Sequence, residues 1–322
     1  MAFLDVLFNL ILPVFAILVL GFVLGRQKKA TVEQARTINW AATTIFLPIL
    51  AFDLMASAPI ESFSFAPLAV YLAVQSLVAG FAFWLALRLE LDKAEAVLAA
   101  IGTVFVNNAF FVLPISQFFY GSEHIQPVIA IITLDTIVLF ILALMSLEYF
   151  QYDQASSKPS SSEASSSEPS YFSKSSVFYQ VCKTVAKLPL VQAIALGLVI
   201  NLLGFTLPHS LQTFVDFNGA AAAPLALLAL GIMLSQTPIR PDKAVWLFTG
   251  FKILLFPVML WLALQLFVSG HSDNDQFMLI SAGPVTTAMF SFGMLYAVPT
   301  VRIAQILVLT TGLSLFSLAL FA

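Results

Sequence analysis

Charge is what this chain has least of. Asp, Glu, Lys and Arg make up 10% of its 322 residues while 60% are hydrophobic, against roughly 25% charged residues in soluble domains. That balance excludes an ordinary soluble fold and points to a membrane-embedded one. One cysteine, Cys182, rules out an internal disulfide and supplies no cysteine metal cluster. The three histidines, His124, His209 and His271, all fall between apolar segments. No metal-binding or nucleophilic constellation therefore lies within the segments, and the chain reads as no enzyme, with no cofactor and no metal. The net charge is −3 and there is no run of Lys or Arg, so nucleic acid is not an expected partner.

Ten apolar segments of roughly 20 residues are present, the length that crosses a hydrocarbon core. They run over Phe3 to Gly25, Ile38 to Ala56, Ala66 to Leu87, Ala94 to Phe119, Pro127 to Leu147, Leu188 to Leu207, Ala220 to Leu234, Ala244 to Val268, Phe277 to Val298 and Ile303 to Phe321. The first is read as a retained span and not a cleaved signal, because basic residues follow it and none precedes it. Apart from Lys252, inside segment eight, Lys and Arg sit in the loops after segments one, three, five, seven and nine, and the loops after two, four, six and eight carry none. Basic residues concentrate on the cytoplasmic side. The expected topology thus has both termini outside and residues 151–187 in the cytoplasm, in a plasma membrane, the inner membrane if the source is bacterial. That stretch contains Ser156 to Ser170, a Ser-rich run that cannot bury apolar surface and reads as a tether. It divides the chain into 1–150 and 188–322, with five segments on each side.

The prolines suggest that the halves are copies. Pro13 and Pro189 are 176 residues apart, as are Pro48 and Pro224, while Pro114 and Pro284 are 170 apart. An odd number of spans per copy forces opposite orientations, so the expected fold is all-α and polytopic, with two inverted five-helix repeats. Inverted repeats with broken helices are the architecture of alternating-access transporters. Segment four carries Asn107, Asn108 and Pro114 in its middle. A proline there removes one helical hydrogen bond and frees a carbonyl, that of Phe110. The sequence therefore places breaks near Pro114 and Pro284, crossing at the midplane with two half-helix N-termini that favour an anion such as a carboxylate.

Candidate substrate-binding residues are Asn107, Asn108, Phe110 and Pro114 from the first half, and Ser281, Pro284, Thr286 and Thr287 from the second. Phe110, Phe111 and Phe290 are expected as apolar walls. The hydroxyls also have a plainer use, bonding back to their own helix. Asp135 and Lys252 lie at mid-depth in segments five and eight; they read either as a coupling site or as a structural ion pair. Asp53 is nearer the outer end of segment two.

Several motifs together resemble the auxin efflux carrier family. They are Phe46-Leu-Pro-Ile-Leu, Asn107-Asn108 followed by Leu113-Pro114-Ile and Phe119-Tyr-Gly121, Ala223-Pro224-Leu followed by Leu230-Gly231, and Pro284 with a later Tyr296. That family includes the plant PIN proteins and bacterial transporters of small carboxylates such as malate and malonate, and the short linker is similar to the bacterial members. The resemblance implies ten helices with broken, crossing helices four and nine, as in bile-acid symporters and sodium/proton antiporters. It also implies a homodimer, a scaffold of helices one, two, six and seven, and a transport domain of helices three to five and eight to ten. The expected activity is export of a small organic anion by an elevator-type movement. The alternatives are a sodium- or proton-coupled symporter of the bile-acid type, a membrane-embedded enzyme and a transporter-derived receptor. Here Ala109-Phe110-Phe111-Val112 stands where bacterial members usually have glycines, which points toward a more apolar or aromatic anion, an indole or aryl carboxylate.

Overall fold

The structure is a computed structural model that describes residues 12–57, 64–121, 124–157, 179, 183, 186–236 and 240–321. Most of the Ser-rich tether, and Pro13 apart from its backbone, lie outside what is described. The helices are α1 (Leu12–Arg26), α2 (Val32–Ala56), α3 (Phe65–Arg88), α4 (Lys93–Gly102) and α5 (Leu113–Tyr120). α6 runs from Gln126–Leu134 through Asp135–Leu139 into Phe140–Ser157, so it continues into the stretch read as tether. Then follow α7 (Pro189–Leu202), α8 (His209–Ser235), α9 (Lys243–Phe267), α10 (Asn274–Ala282), α11 (Ala288–Leu295) and α12 (Val301–Phe321). Among the described residues there is no strand, only an isolated antiparallel bridge between Val106 and Val285. Among the described residues five helices are long and apolar enough to cross a membrane: α2, α3, α8, α9 and α12.

Local chemistry explains where these helices start and bend. Thr31 caps α2 through a capping box with Gln34, and Asp92 and Asp242 accept hydrogen bonds from Ala94 N–H and Val245 N–H at the starts of α4 and α9. Three one-turn π segments, Ala42–Phe46, Asn108–Val112 and Phe251–Leu255, each end two residues before a proline, namely Pro48, Pro114 and Pro257. A proline cannot donate to the carbonyl four residues back and its ring pushes that carbonyl away. The chain answers by widening one turn, so that Leu47 N–H bonds to Ala42 C=O, Leu113 N–H to Asn108 C=O and Phe256 N–H to Phe251 C=O. At these three positions proline widens the helix without stopping it.

The helices pack as two groups. α1 lies along α8, α7 along the second half of α2, and α8 also touches the first half of α2. Small residues allow these close approaches, as is usual where lipid gives no hydrophobic drive. A methyl group at Gly231 would collide with Leu18 C=O and come within 2.8 Å of Phe22 N, and one at Gly197 would lie 2.8 Å from Met55 Cβ. In the second group α3 packs on α4 and α9, α4 on α6, and α12 on α9 and α10. One end of this group is tied by Arg302, at the start of α12. Its guanidinium donates to both oxygens of Glu95 on α4, at 2.9 and 3.1 Å, and to Asp242 at 2.6 Å. Such a fork-to-carboxylate geometry holds three helix starts in one arrangement.

Gly231→Leu should destabilise the protein by about 1–3 kcal/mol through overpacking against α1. Gly80→Leu, where no atom lies within 4 Å of an added Cβ, should leave stability near wild type; thermal unfolding in detergent compares the two. Equal melting temperatures would show that the α1–α8 contact is not tight.

Candidate functional site

The break in the first half falls at residues 103–107 and not at Pro114. α4 ends at Gly102, Thr103 turns its hydroxyl back onto Ala100 C=O at 2.6 Å, and Val104 to Asn107 run irregularly into the π turn that precedes Pro114. Pro114 lies inside a helical run that continues from the π turn Asn108–Val112 into α5, and the widened turn accommodates it. In the second half α10 ends at Ala282 and Gly283 to Thr287 cross to α11. At the crossing Asn107 N–H donates to Pro284 C=O at 2.9 Å, and Thr286 N–H donates to Phe105 C=O at 3.0 Å. Each broken segment thereby satisfies the backbone groups that the other lost. The two halves meet in the register Val106 to Val285, which displaces the Pro114-to-Pro284 pairing expected from the sequence.

Around the crossing lies a cavity of about 570 Å³, within the range of small-molecule sites. Its floor comes from Phe105 to Ala109 and Thr286 to Ala288, and one flank from Asp135, Phe140 and Phe292. Trp40, Thr43, Thr44 and Leu47 of α2 and the start of α7 at Leu188 to Val191 close the opposite flank. The cavity thus lies between the two helix groups. Both half-helices that leave the crossing begin at it, at Asn108 and at Ala288. Their first turns present the positive ends of the helix dipoles.

Asn107 and Asn108 are both buried, at 3% exposure, yet Asn107 Nδ2 and Asn108 Oδ1 have no hydrogen-bond partner among the described residues. Unpaired buried polar atoms are costly, and here they sit on a cavity wall. Asn108 Nδ2 donates to Asp135 Oδ2 at 3.2 Å, and Gln75 Nε2 donates to Asp135 Oδ1 at 2.8 Å. Asp135 opens a π turn, Asp135–Leu139, that no proline follows. A π turn without such a cause is the kind that marks functional positions.

The other predicted residues fall differently. Thr286 and Thr287 line the cavity, and Thr286 Oγ1 also accepts from Ala288 N–H at 3.4 Å. Ser281 lies off the cavity: its hydroxyl donates to Met278 C=O at 2.7 Å, the back-bonding that a helical serine makes when nothing else is near. Pro114 and Pro284 are also off its lining; Pro284 contributes its carbonyl to the crossing. The side chain of Phe110 lies outside the described residues. Phe111 is buried in the core and Phe290 lines a separate narrow crevice, so the aromatic wall is instead Phe105, Phe140 and Phe292. These rings pack edge to face, with centroids 6.2 Å apart for Phe105–Phe140 and 4.5 Å for Phe140–Phe292.

Asp135 and Lys252 do not form the direct ion pair that one reading of the sequence offered. Lys252 is fully buried behind the crossing, donating from Nζ to Ser281 C=O at 2.6 Å and lying 5.0 Å from the Phe256 ring centre. Its charge reaches Asp135 through space only. Gln75 was not singled out from the sequence, although a glutamine in the middle of an apolar span was a signal for it. Gln75 also points Nε2 at Val104 C=O, 3.5 Å away, much as Lys252 points at Ser281 C=O. Among the described residues no group of His, Cys, Asp and Glu is placed to hold a metal.

Gln75→Leu should cost about 1–3 kcal/mol, because Asp135 Oδ1 is left without its donor. Adding Asp135→Leu should return part of that loss, and a double-mutant cycle of thermal unfolding measures it. Additive losses would show that the two side chains do not depend on each other.

The family model described as "Membrane transport protein" matches residues 6–322. The chain is 25% identical over 313 residues to a "Putative malonate transporter" of Rhizobium meliloti (strain 1021), covering 95% of this chain and 92% of that protein. It is 25% identical over 253 residues to an "Uncharacterized transporter" of Methanothermobacter thermautotrophicus, covering 77% and 75%. With the match running almost end to end over helices that break and cross beside a polar cavity, the chain belongs to the membrane transport protein family of the auxin efflux carriers and is a membrane transporter.

Proposed function

We propose that this transporter carries an organic carboxylate with an apolar body, by alternating access around the crossing of α4–α5 with α10–α11. The observation that carries this reading is the pair of orphaned amide atoms, Asn107 Nδ2 and Asn108 Oδ1, on the wall of the cavity. Two helix N-termini beside them favour a negatively charged group. The rest of the lining is apolar and aromatic, with Trp40, Leu47, Ile132, Phe140 and Phe292. A ligand that matches both parts has one carboxylate head and a hydrophobic remainder, as an aryl or indole carboxylate has. The relative named for malonate is the reason to include that dicarboxylate among the substrates tested.

In this proposal the ten apolar segments form two inverted five-helix halves. Corresponding chemistry supports it: Gln75 on α3 and Lys252 on α9 each aim a donor at the carbonyl end of the half-helix before a break. Asp135 on α6 and Thr310 on α12 each accept near the crossing, Thr310 Oγ1 from Val285 N–H at 3.3 Å. α1, α2, α7 and α8 then act as the scaffold, and α3 to α6 with α9 to α12 as the body that moves past it. Both termini face outside, and the cavity opens beside the starts of α2 and α7, on the side of the basic loops. The proposed state faces the cytoplasm, where export, the direction the family resemblance implies, would begin.

The test is flux in proteoliposomes of indole-3-acetate against malonate. Indole-3-acetate should be carried with the higher affinity, and Asn107→Ala should weaken it about tenfold, the worth of roughly 1.4 kcal/mol for one lost hydrogen bond to a charged group. A preference for malonate, or flux indifferent to Asn107, contradicts the proposal.

A further inference from the structure

A cavity proposed to bind anions contains a contradiction. Its lining includes one carboxylate, Asp135, and no Lys, Arg or His. An ionised Asp135 repels an incoming carboxylate at close range and in low dielectric. It also turns Asn108 unfavourably: one N–H of Nδ2 is held by Asp135 Oδ2, and the orphaned Oδ1, an acceptor, is left to meet an incoming anion.

One proton resolves both difficulties. We propose that Asp135 and Asn108 form a proton-operated donor–acceptor switch that admits an organic anion to the crossing only after Asp135 has taken up a proton. The proton arrives from water in the cavity and bonds to Asp135 Oδ2. That oxygen becomes a hydroxyl and donates to Asn108 Oδ1, the atom that lacked a partner. The Asn108 amide turns over to accept it, and its NH2 is released toward the anion beside Asn107 Nδ2. Gln75 Nε2 continues to donate to Asp135 Oδ1, so the acid stays anchored while the amide turns.

The charged and titratable neighbours agree with this order of events. From α3, Tyr71 faces Asp135 together with Gln75; from α9, Lys252 faces it from behind the crossing. Asn107 and Asn108 face it from the break. With Lys252 as an ammonium and Asp135 ionised, the crossing carries no net charge. Uptake of a proton leaves one positive charge, and the anion cancels it. The loaded and empty crossings are then both neutral, which is the condition for moving either through a membrane at low cost. The inference rests on the carboxylate reading above and deepens it by naming the coupled ion. One proton travels with each anion. Under an inward proton gradient such a carrier exports only an anion whose outward gradient is the steeper of the two, and otherwise takes it up.

Purified full-length protein in detergent tests this by equilibrium binding of indole-3-acetate and of malonate from about pH 6 to about pH 9, with proton uptake recorded in weakly buffered solution. Indole-3-acetate stays ionised across that window. Its affinity should fall by up to about tenfold per pH unit at the alkaline end, with about one proton taken up per molecule bound. Asp135→Asn, which keeps a neutral side chain of the same shape, should bind at about pH 9 as wild type does at about pH 6. Affinity that is flat with pH, without proton uptake, overturns the switch while leaving carboxylate binding intact. So does loss of binding at every pH in a folded Asp135→Asn protein. Binding of neither probe to wild type at any pH overturns the carboxylate reading itself. If Asp135→Asn does not fold, the wild-type proton count alone decides.

Discussion

Two hydrogen bonds between broken chains carry this structure. A helix interrupted at membrane depth leaves backbone donors and acceptors that no lipid can satisfy. Here Asn107 N–H finds Pro284 C=O and Thr286 N–H finds Phe105 C=O. The repair is reciprocal, so neither half can keep its break without the other. Once the two segments are tied, their half-helices start at one point, and the amides next to the break have nowhere to bond except into the space beside it. The site is a consequence of mending the backbone.

The surrounding contacts divide into those that hold the crossing and those that border it. Gln75, Asp135, Lys252 and Thr310 reach it from α3, α6, α9 and α12, each through a buried polar contact. Arg302 binds the starts of α4, α9 and α12 at one end. Against this polar-laced group, α1, α2, α7 and α8 offer glycine-mediated packing with one another and an apolar flank to the cavity. Polar ties within one group and mainly apolar contact across the boundary are the arrangement on which the proposed movement of one group past the other rests.

Much of this was legible in the sequence because the bilayer permits few solutions. The scarcity of charge and the long apolar stretches announced a membrane protein because a hydrocarbon core demands them, and the family match agrees. Asn107, Asn108, Thr286 and Thr287 were visible as polar residues in apolar stretches, and they do meet at one cavity. Pro284 does lie in the second break, but Pro114 misled. A missing N–H at Pro114 is accommodated by one widened turn, whereas the true break is made by Thr103 folding its hydroxyl onto its own helix and by pairing with residues about 180 positions away, which no local pattern reveals. Ser281 was another local choice, settled by a carbonyl within its own helix. The aromatic wall was misplaced for a related reason: which face of a half-helix looks into the cavity depends on where the break falls, and a shift of a few residues exchanges Phe111 and Phe290 for Phe105 and Phe292.

The central claim is that substrate binds at the crossing. Photolabelling with a diazirine-bearing aryl carboxylate, followed by peptide mapping, tests it most directly. The account predicts label on residues 105–109 and 286–288, competed by unlabelled indole-3-acetate. Competed label confined to the outer loops, with the crossing unmarked, would contradict it.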